Sequence, residues 1–283
     1  MARLATLVLL LATLSGWELA AQQRGLLIVA HGADSGWNAG VRQVVAQVRW
    51  NGPVELAFLM GPEAHTASWN AALSRLESTG PDSIIVVPLM VSSHGAHTRQ
   101  IQHYAGVLAE LPAALAGHGH GPARQPVVPV RVADALDAAP ELGRILLDRW
   151  QSRTVADRTR PVMLVAHGPT GDVDAVRWEG ALLEANGPLI AALDGRPLRV
   201  GLLRDDAPAP ERARAVAAIR DTIAALATRH ADSVLVMTVL VSSGGIDRVT
   251  VPRDLEGTPM RYAGVVLSPH PMLARWIERV ATN

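Results

Sequence analysis

Two histidine-containing segments follow apolar runs and are the strongest candidates for chemistry. His31 is followed directly by Gly32, and the segment Ser92–His97 carries His94 and His97 three residues apart. Neutral imidazole is a common ligand of divalent metal ions, and it accepts a proton near neutral pH. The segments therefore predict a site that binds a metal, transfers protons or does both.

Ser92 and Ser93 are candidates for supporting this site or for binding a polar group of the substrate. A hydrolase with one of these serines activated by His31 is an alternative. The Gly-x-Ser-x-Gly turn of such enzymes does not surround either serine, which argues against it. A histidine phosphatase is also disfavoured, because Ala30 stands where those enzymes place an arginine.

The remaining histidines in the chain are weaker candidates for the site. They fall in a Gly-rich loop, near helix ends or beside prolines, where surface or capping roles are common. These residues are His65, His103, His118, His120, His230 and His270, whereas His167 follows an apolar run and precedes Gly168, as His31 precedes Gly32. Seven of the ten histidines precede residue 151, which favours a site in the first half of the chain.

The composition excludes several kinds of chemistry. The chain has 283 residues, no cysteine and no lysine, and its 26 basic side chains, all arginine, balance 26 acidic ones. Thiolate metal sites, disulfides, Schiff bases and the P-loop lysine are therefore excluded. The balanced charge predicts no nucleic-acid partner.

The beginning of the chain resembles an export signal. Arg3 precedes the apolar run Leu4–Leu14, and small residues follow at Ala20 and Ala21. This pattern predicts a signal peptide over residues 1–21 and an exported, periplasmic mature protein. The run is too short to span a bilayer, and no later segment is long enough, so we expect no membrane span in the mature chain.

The rest of the chain contains an internal repeat. The apolar run ending in His31-Gly32 recurs before His167-Gly168, and Ser83–Ser93 is echoed by Ser233–Ser243. A repeat longer than 100 residues indicates a duplicated domain and not a solenoid. We therefore predict an N-terminal domain over residues 22–150 and a diverged C-terminal repeat over 151–283.

Each half alternates continuous apolar runs with amphipathic stretches. Such runs are typical of strands buried on both faces of a parallel sheet, and their alternation with helices predicts an α/β fold. We expect two tandem Rossmann-like domains, each a parallel sheet of about four strands flanked by helices. Helices are predicted over Trp37–Val48, His65–Leu76 and Glu211–Arg229.

The carboxyl ends of parallel strands meet at one edge of a sheet, where ligands bind. His31 and Ser92–His97 both follow strands, so we expect His31 and His97 to converge at that edge. In the second half, Gly244 and Gly245 follow the equivalent serines, and no histidine stands in that loop. We infer one active half and one half kept for shape or for enclosing the substrate.

These motifs resemble the CbiX, or sirohydrochlorin-type, class II chelatases. The shared features are His31-Gly32, the pair Ala57-Phe58 on the second strand, and the segment from Pro88 through Gly95-Ala96-His97. The resemblance implies two chelatase-like domains facing each other across a cleft. It implies insertion of Co²⁺, Ni²⁺ or Fe²⁺ into a sirohydrochlorin-type tetrapyrrole, a lyase reaction in which His31 and His97 bind the metal and accept pyrrole protons.

The chain also departs from the family pattern. Many members carry Glu two residues after Ala-Phe, whereas this chain has Met60, and its nearest carboxylate is Glu63. Glu63 is therefore the candidate substitute. The missing carboxylate and the export signal favour an alternative, a non-enzymatic exported metal- or tetrapyrrole-binding protein. The sequence does not choose the metal, the oligomeric state or the arginines that hold the carboxylates of a tetrapyrrole, for which Arg42, Arg99 and Arg131 are candidates.

Overall fold

A computed structural model describes residues 23–111, 115 and 123–283. The predicted signal peptide, His118 and His120 lie outside these residues. The described part forms two four-stranded parallel sheets, one in each half of the chain. Both sheets are covered by helices, so the predicted fold class is confirmed. None of the helices in this part is long and apolar enough to cross a membrane.

The two sheets have the same topology. The strand order is β2-β1-β3-β4 in the first and β6-β5-β7-β8 in the second. The strands are β1 (Arg24–Ala30), β2 (Val54–Phe58), β3 (Ser83–Leu89), β4 (Val130–Val132), β5 (Val162–Ala166), β6 (Leu198–Leu202), β7 (Val234–Val239) and β8 (Met260–Tyr262). Alternate residues of β1 enter different core clusters, Leu26 on one face and Leu27 on the other, and both are fully buried. This two-sided burial explains why the central strands are continuously apolar.

Ten helices occur in the described part. They are α1 (Ser35–Val45), α2 (Trp69–Glu77), α3 (Ala96–Tyr104), α4 (Pro140–Gln151), α5 (Val155–Arg158), α6 (Asp172–Ala185), α7 (Gly187–Ala192), α8 (Ala209–His230), α9 (Val251–Asp254) and α10 (Pro271–Thr282). A 3-10 turn covers Pro62–His65, and a π-helical turn covers Ile246–Thr250.

Side-chain caps explain where the predicted helices differ from the observed ones. Helix α1 begins two residues before Trp37 because the Asp34 carboxylate accepts a hydrogen bond of 2.9 Å from the Trp37 amide. The helix predicted from His65 is divided. Ser68 caps the first turn of α2 by accepting from the Ala71 amide at 3.2 Å, so His65 belongs to the preceding 3-10 turn.

The last helix of each half packs on the other half. Helix α4 lies against α6 and α7, whereas α10 lies against β3 and α1. A Cβ on Gly143 of α4 would stand 1.8 Å from the Ala185 carbonyl oxygen, so only glycine allows this approach. Arg279 of α10 donates two hydrogen bonds, of 2.7 and 2.6 Å, to Glu141 of α4. Because each half packs its last helix on the other, residues of both halves form one continuous core cluster.

Candidate metal centre

His31 stands at the carboxyl end of β1 and is held there by its own loop. Its Nδ1 lies 2.8 Å from the Gly32 carbonyl oxygen. A carbonyl oxygen only accepts hydrogen bonds, so Nδ1 carries the proton and Nε2 carries the lone pair. Gly32 has a φ of +83°, and a Cβ there would stand 2.2 Å from the Met60 carbonyl oxygen. This glycine therefore permits the sharp turn that presents the imidazole.

His97 lies in the first turn of α3, which begins after the loop that follows β3. Its Nδ1 is 3.0 Å from the Gln100 side-chain oxygen, and the Gln100 amide nitrogen donates to the Tyr104 hydroxyl at 2.8 Å. The bond to Tyr104 orients the buried Gln100 amide so that its oxygen accepts from His97. The proton is thereby placed on Nδ1 of His97, and the lone pair of the ring is on Nε2.

The structure brings His31 and His97 together. Their ring centroids are 4.7 Å apart, and the ring planes make an angle of 82°. Across residues 23–111 and 123–283, no three His, Asp or Glu side chains form a group that could hold a metal. The pair could therefore supply two nitrogen ligands to a metal ion.

The surroundings keep His31 neutral. Burial, which has the largest effect, and the neighbouring His97 together lower the pKa of His31 to about 4. The Gly32 carbonyl opposes this shift, His167 of the second half adds to it, and Asp206 opposes it. An imidazole that remains unprotonated at neutral pH is suited to bind a metal and is a weak equilibrium base.

Glu63 is held behind the His31 loop and does not join the two imidazoles in a metal-binding group. Its carboxylate accepts hydrogen bonds from Arg42 and, at 3.0 Å, from the Asn38 side chain of α1. These two bonds, that of Arg42 first, hold the pKa of Glu63 below its usual value. The Asn38 side chain also bonds the amide and the carbonyl of Ala33. Asn38 thus connects α1 to the loop that follows His31, and Glu63 connects α1 to the 3-10 turn.

Ser92 and Ser93 are occupied by Asp137, which lies beyond β4 in the sequence. Both hydroxyl groups donate to its carboxylate, Ser92 at 3.0 Å, and the Ser93 amide donates at 2.8 Å. The Ser92 hydroxyl also accepts from the amide of His94, whose ring is half-buried. These bonds shape the loop between β3 and α3. They direct the serine protons to Asp137, unlike the serine–histidine pairing that a hydrolase needs.

The weaker histidine candidates lie elsewhere. His65 ends the 3-10 turn and is exposed, and His230 is the exposed last residue of α8. The His103 ring is 3.1 Å from the Leu108 carbonyl oxygen. His270 caps α10 by accepting from the Met272 amide at 3.2 Å, and burial lowers its pKa.

The second half contributes a pair that the sequence reasoning missed. His167 repeats the geometry of His31, with its Nδ1 at 2.9 Å from the Gly168 carbonyl oxygen. Its Nε2 is 3.6 Å from a carboxylate oxygen of Asp206. The repeated His-Gly motif, together with an Asp four residues after β6, was the signal that would have identified the pair.

Paired contacts hold the two sheet edges opposite each other. Asp34 before α1 binds Arg248 of the second half at 2.6 Å, and Asp174 of α6 binds Arg99 of the first half at 2.7 Å. Trp37, whose ring centroid is 6.3 Å from that of His31, lies against Gly244 of the loop after β7. His167 and Asp206 of the second half therefore lie close enough to His31 to influence its pKa.

The comparisons with known proteins agree with this architecture. The CbiX family model matches residues 25–153, and no curated protein matches the sequence. One similar solved structure is SirB from Bacillus subtilis with Fe³⁺, at 16% identity and a TM-score of 0.57, covering 92% of this chain and 94% of that one. Another is the sirohydrochlorin chelatase SirB from Bacillus subtilis subspecies spizizenii in complex with cobalt, at 14% identity and a TM-score of 0.55, with the same coverage.

A third similar structure is a multi-domain Deinococcus radiodurans protein with structural similarity to chelatases. It has 14% identity and a TM-score of 0.52, and the match covers 92% of this chain and 55% of that one. At these identities the solved structures show a shared fold across both halves. The CbiX family model thus matches the first half of this chain, and the second half repeats the same fold.

Proposed function

We propose that this protein inserts a divalent metal ion into a sirohydrochlorin-type tetrapyrrole. The observation that carries the proposal is the His31–His97 pair, in which hydrogen bonds place both protons on Nδ1 and both lone pairs on Nε2. Two neutral imidazoles bind a divalent ion without adding charge. They also leave coordination positions that the four pyrrole nitrogens take over as the metal is transferred.

The reaction exchanges one divalent ion for two pyrrole protons. The ion reaches the His31–His97 pair and then forms bonds to the macrocycle nitrogens as both N–H bonds break. Imidazole serves Co²⁺, Ni²⁺ and Fe²⁺, so the donor set selects none of the three. Fe³⁺ and cobalt are the ions named for the SirB structures.

Arginine is the cation with which this chain can bind the acidic substituents of a tetrapyrrole, since it has no lysine. The three candidates from the sequence have partners within the protein. Arg42 binds Glu63, Arg99 binds Asp174, and Arg131 donates to the carbonyl oxygens of Val280 and Ala281. Recruiting Arg42 or Arg99 for substrate would therefore require its ion pair to open.

A second candidate function is storage or transport of the metal or the tetrapyrrole after export of the protein. It is favoured by one observation: no carboxylate joins His31 and His97 in a metal-binding group within the described residues. Such a site lacks the glutamate that many family members carry at the position of Met60, and this carboxylate would be missing during metal transfer. In this case the protein binds Co²⁺ and sirohydrochlorin but does not combine them.

An insertion assay separates the two functions. The mature chain is mixed with sirohydrochlorin and Co²⁺, Ni²⁺ or Fe²⁺, and the absorbance change of the macrocycle is followed. Catalysed insertion that is lost in His31→Ala and in His97→Ala, but not in the exposed control His65→Ala, supports the chelatase. Metal binding without any catalysed insertion would refute the chelatase and support the carrier. Whether the chain is processed at residue 21 and exported is tested by fractionating cells that produce it.

A further inference from the structure

The His167–Asp206 pair is a second polar cluster in the cleft, and the metal site does not use it. The two side chains approach to 3.6 Å at Nε2 of His167, while its Nδ1–H is held by the Gly168 carbonyl. The Asp206 side chain is 62% exposed, whereas that of His167 is 27% exposed. The pair thus connects a partly enclosed imidazole to solvent through a carboxylate.

The fold fixes this pair opposite the metal site. Strands β5 and β6 are paired with Ala166 beside Leu202, and the Arg204 amide donates to the His167 carbonyl oxygen at 2.6 Å, which ties the Asp206 loop to the His167 loop. The neighbouring loop after β7 packs against Trp37, beside His31. His167 and Asp206 are also close enough to influence His31 electrostatically.

The groups on the two sides of the cleft differ in chemistry. The first half presents two imidazoles with no carboxylate joined to them in a metal-binding group, which suits a metal ion. The second half presents one imidazole beside one carboxylate, two groups that can each accept and pass on a proton. The nearby Arg204 guanidinium binds Asp172 and the carbonyl oxygens of Pro169 and Thr170.

We propose that His167, with Asp206 beside it, accepts the pyrrole protons on the face of the tetrapyrrole opposite to the face that receives the metal from His31 and His97. This inference rests on the proposed chelatase function. Each pyrrole N–H bond breaks with its electron pair remaining on nitrogen, and the proton passes to Nε2 of His167. It leaves through the exposed Asp206 carboxylate to water. The transfer occurs twice, so two protons leave for one divalent ion.

The test is single-turnover insertion of Co²⁺ into sirohydrochlorin by wild type, His167→Ala and Asp206→Asn. Both variants should slow insertion by about 100-fold or more, because general acid–base groups contribute factors of that order. Their affinity for Co²⁺, measured by calorimetry without the tetrapyrrole, should equal that of wild type. Exogenous imidazole should restore His167→Ala, and Asp206→Glu should retain more activity and a more native pH–rate profile than Asp206→Asn.

Two control variants match the substitutions. His230→Ala removes an exposed imidazole outside the cleft, and Asp172→Asn removes an 88%-exposed carboxylate that faces Arg204. Neither should change the rate of insertion. Asp206 is exposed, so Asp206→Asn keeps the test meaningful even if His167→Ala folds poorly.

The outcomes separate this inference from the proposed function. Insertion by wild type, together with unchanged rates and pH profiles in Asp206→Asn and in folded His167→Ala, overturns the proton-acceptor role and leaves the chelatase intact. Failure of wild type to accelerate insertion overturns both. A loss of Co²⁺ affinity in the variants that equals their loss of rate would assign the pair to the metal site and also overturn the inference.

Discussion

The imidazole rings of His31 and His97 meet nearly at a right angle, with their centroids 4.7 Å apart. Each ring is oriented by a hydrogen bond at Nδ1, to the backbone in one case and to a side chain in the other. The orientation of His97 therefore depends on residues that never touch the metal, and substitution of those residues should be measurable in metal affinity.

Gln100→Leu should weaken Co²⁺ binding by about 10-fold, because the side chain that orients His97 is lost and such partners contribute factors of about 10–100. Calorimetric titration of the mature chain measures the effect. Gln102→Leu, two residues along the same helix, is the matched control. Equal affinities for the two variants would show that the Gln100 contact does not orient the ligand.

The stability of the protein should depend on His31 in mildly acidic solution. The pKa of His31 is about 4 in the folded protein and 6.5 in the absence of structure, so the unfolded chain binds the proton more readily. The contribution of neutral His31 to the free energy of unfolding is fully present above pH 6.5. It is lost as the pH falls towards 4, by up to about 3 kcal/mol.

Urea denaturation at pH 7 and at about pH 4.5 tests this expectation. The free energy of unfolding should fall more in wild type than in His31→Gln, which has no titrating group at that position. An equal fall in both proteins would contradict the low pKa of His31.

Gly32→Ala should destabilise the protein by at least about 2 kcal/mol, since the new Cβ meets the Met60 carbonyl and the backbone has a positive φ. Gly80→Ala is a matched control, because Gly80 has a φ of +71° and a Cβ added there would meet no heavy atom within 4 Å. Gly80→Ala should lower the free energy of unfolding by about 1 kcal/mol, because only the backbone conformation is unfavourable there. Similar losses in both variants would show that the contact with Met60 is unimportant.

Gly143→Ala should destabilise the fold by more than about 2 kcal/mol, because the Ala185 carbonyl leaves no space for a side chain on α4. Gly180→Ala places the same change in α6, where nothing lies within 4 Å, and should stabilise the protein by up to about 1 kcal/mol. Thermal or urea unfolding distinguishes the two. A neutral effect at Gly143 would mean that α4 can move away from α6.

Much of the fold could be predicted because its signals are local. Continuous apolar runs define β1 and β3, and parallel pairing of Ala30 with Leu89 brings their carboxyl ends together, which explains the meeting of His31 and His97. The partner of each terminal helix could not be predicted. Hydrophobic periodicity shows that α4 and α10 each have an apolar face, but it does not show which half of the chain covers that face.

The finer contacts of the site also depend on distant residues. Asp137 binds Ser92 and Ser93 from beyond the fourth strand, and no local pattern links these positions. Glu63 is the nearest carboxylate in sequence, yet Arg42 and Asn38 hold it outside the imidazole pair. Asp206 and His167 follow different strands of the second half, and their proximity depends on the parallel pairing of β5 with β6.

The exchange of α4 and α10 between the halves limits how far the halves can move relative to each other. Helix α4 of the first half packs on the second half, and α10 of the second half packs on the first. The halves therefore cannot separate unless both helices leave the core. The Asp34–Arg248 and Arg99–Asp174 ion pairs also join the two halves, through residues outside these helices. The relative position of the halves is therefore set mainly by the two exchanged helices, since an exposed ion pair such as Asp34–Arg248 separates at small cost.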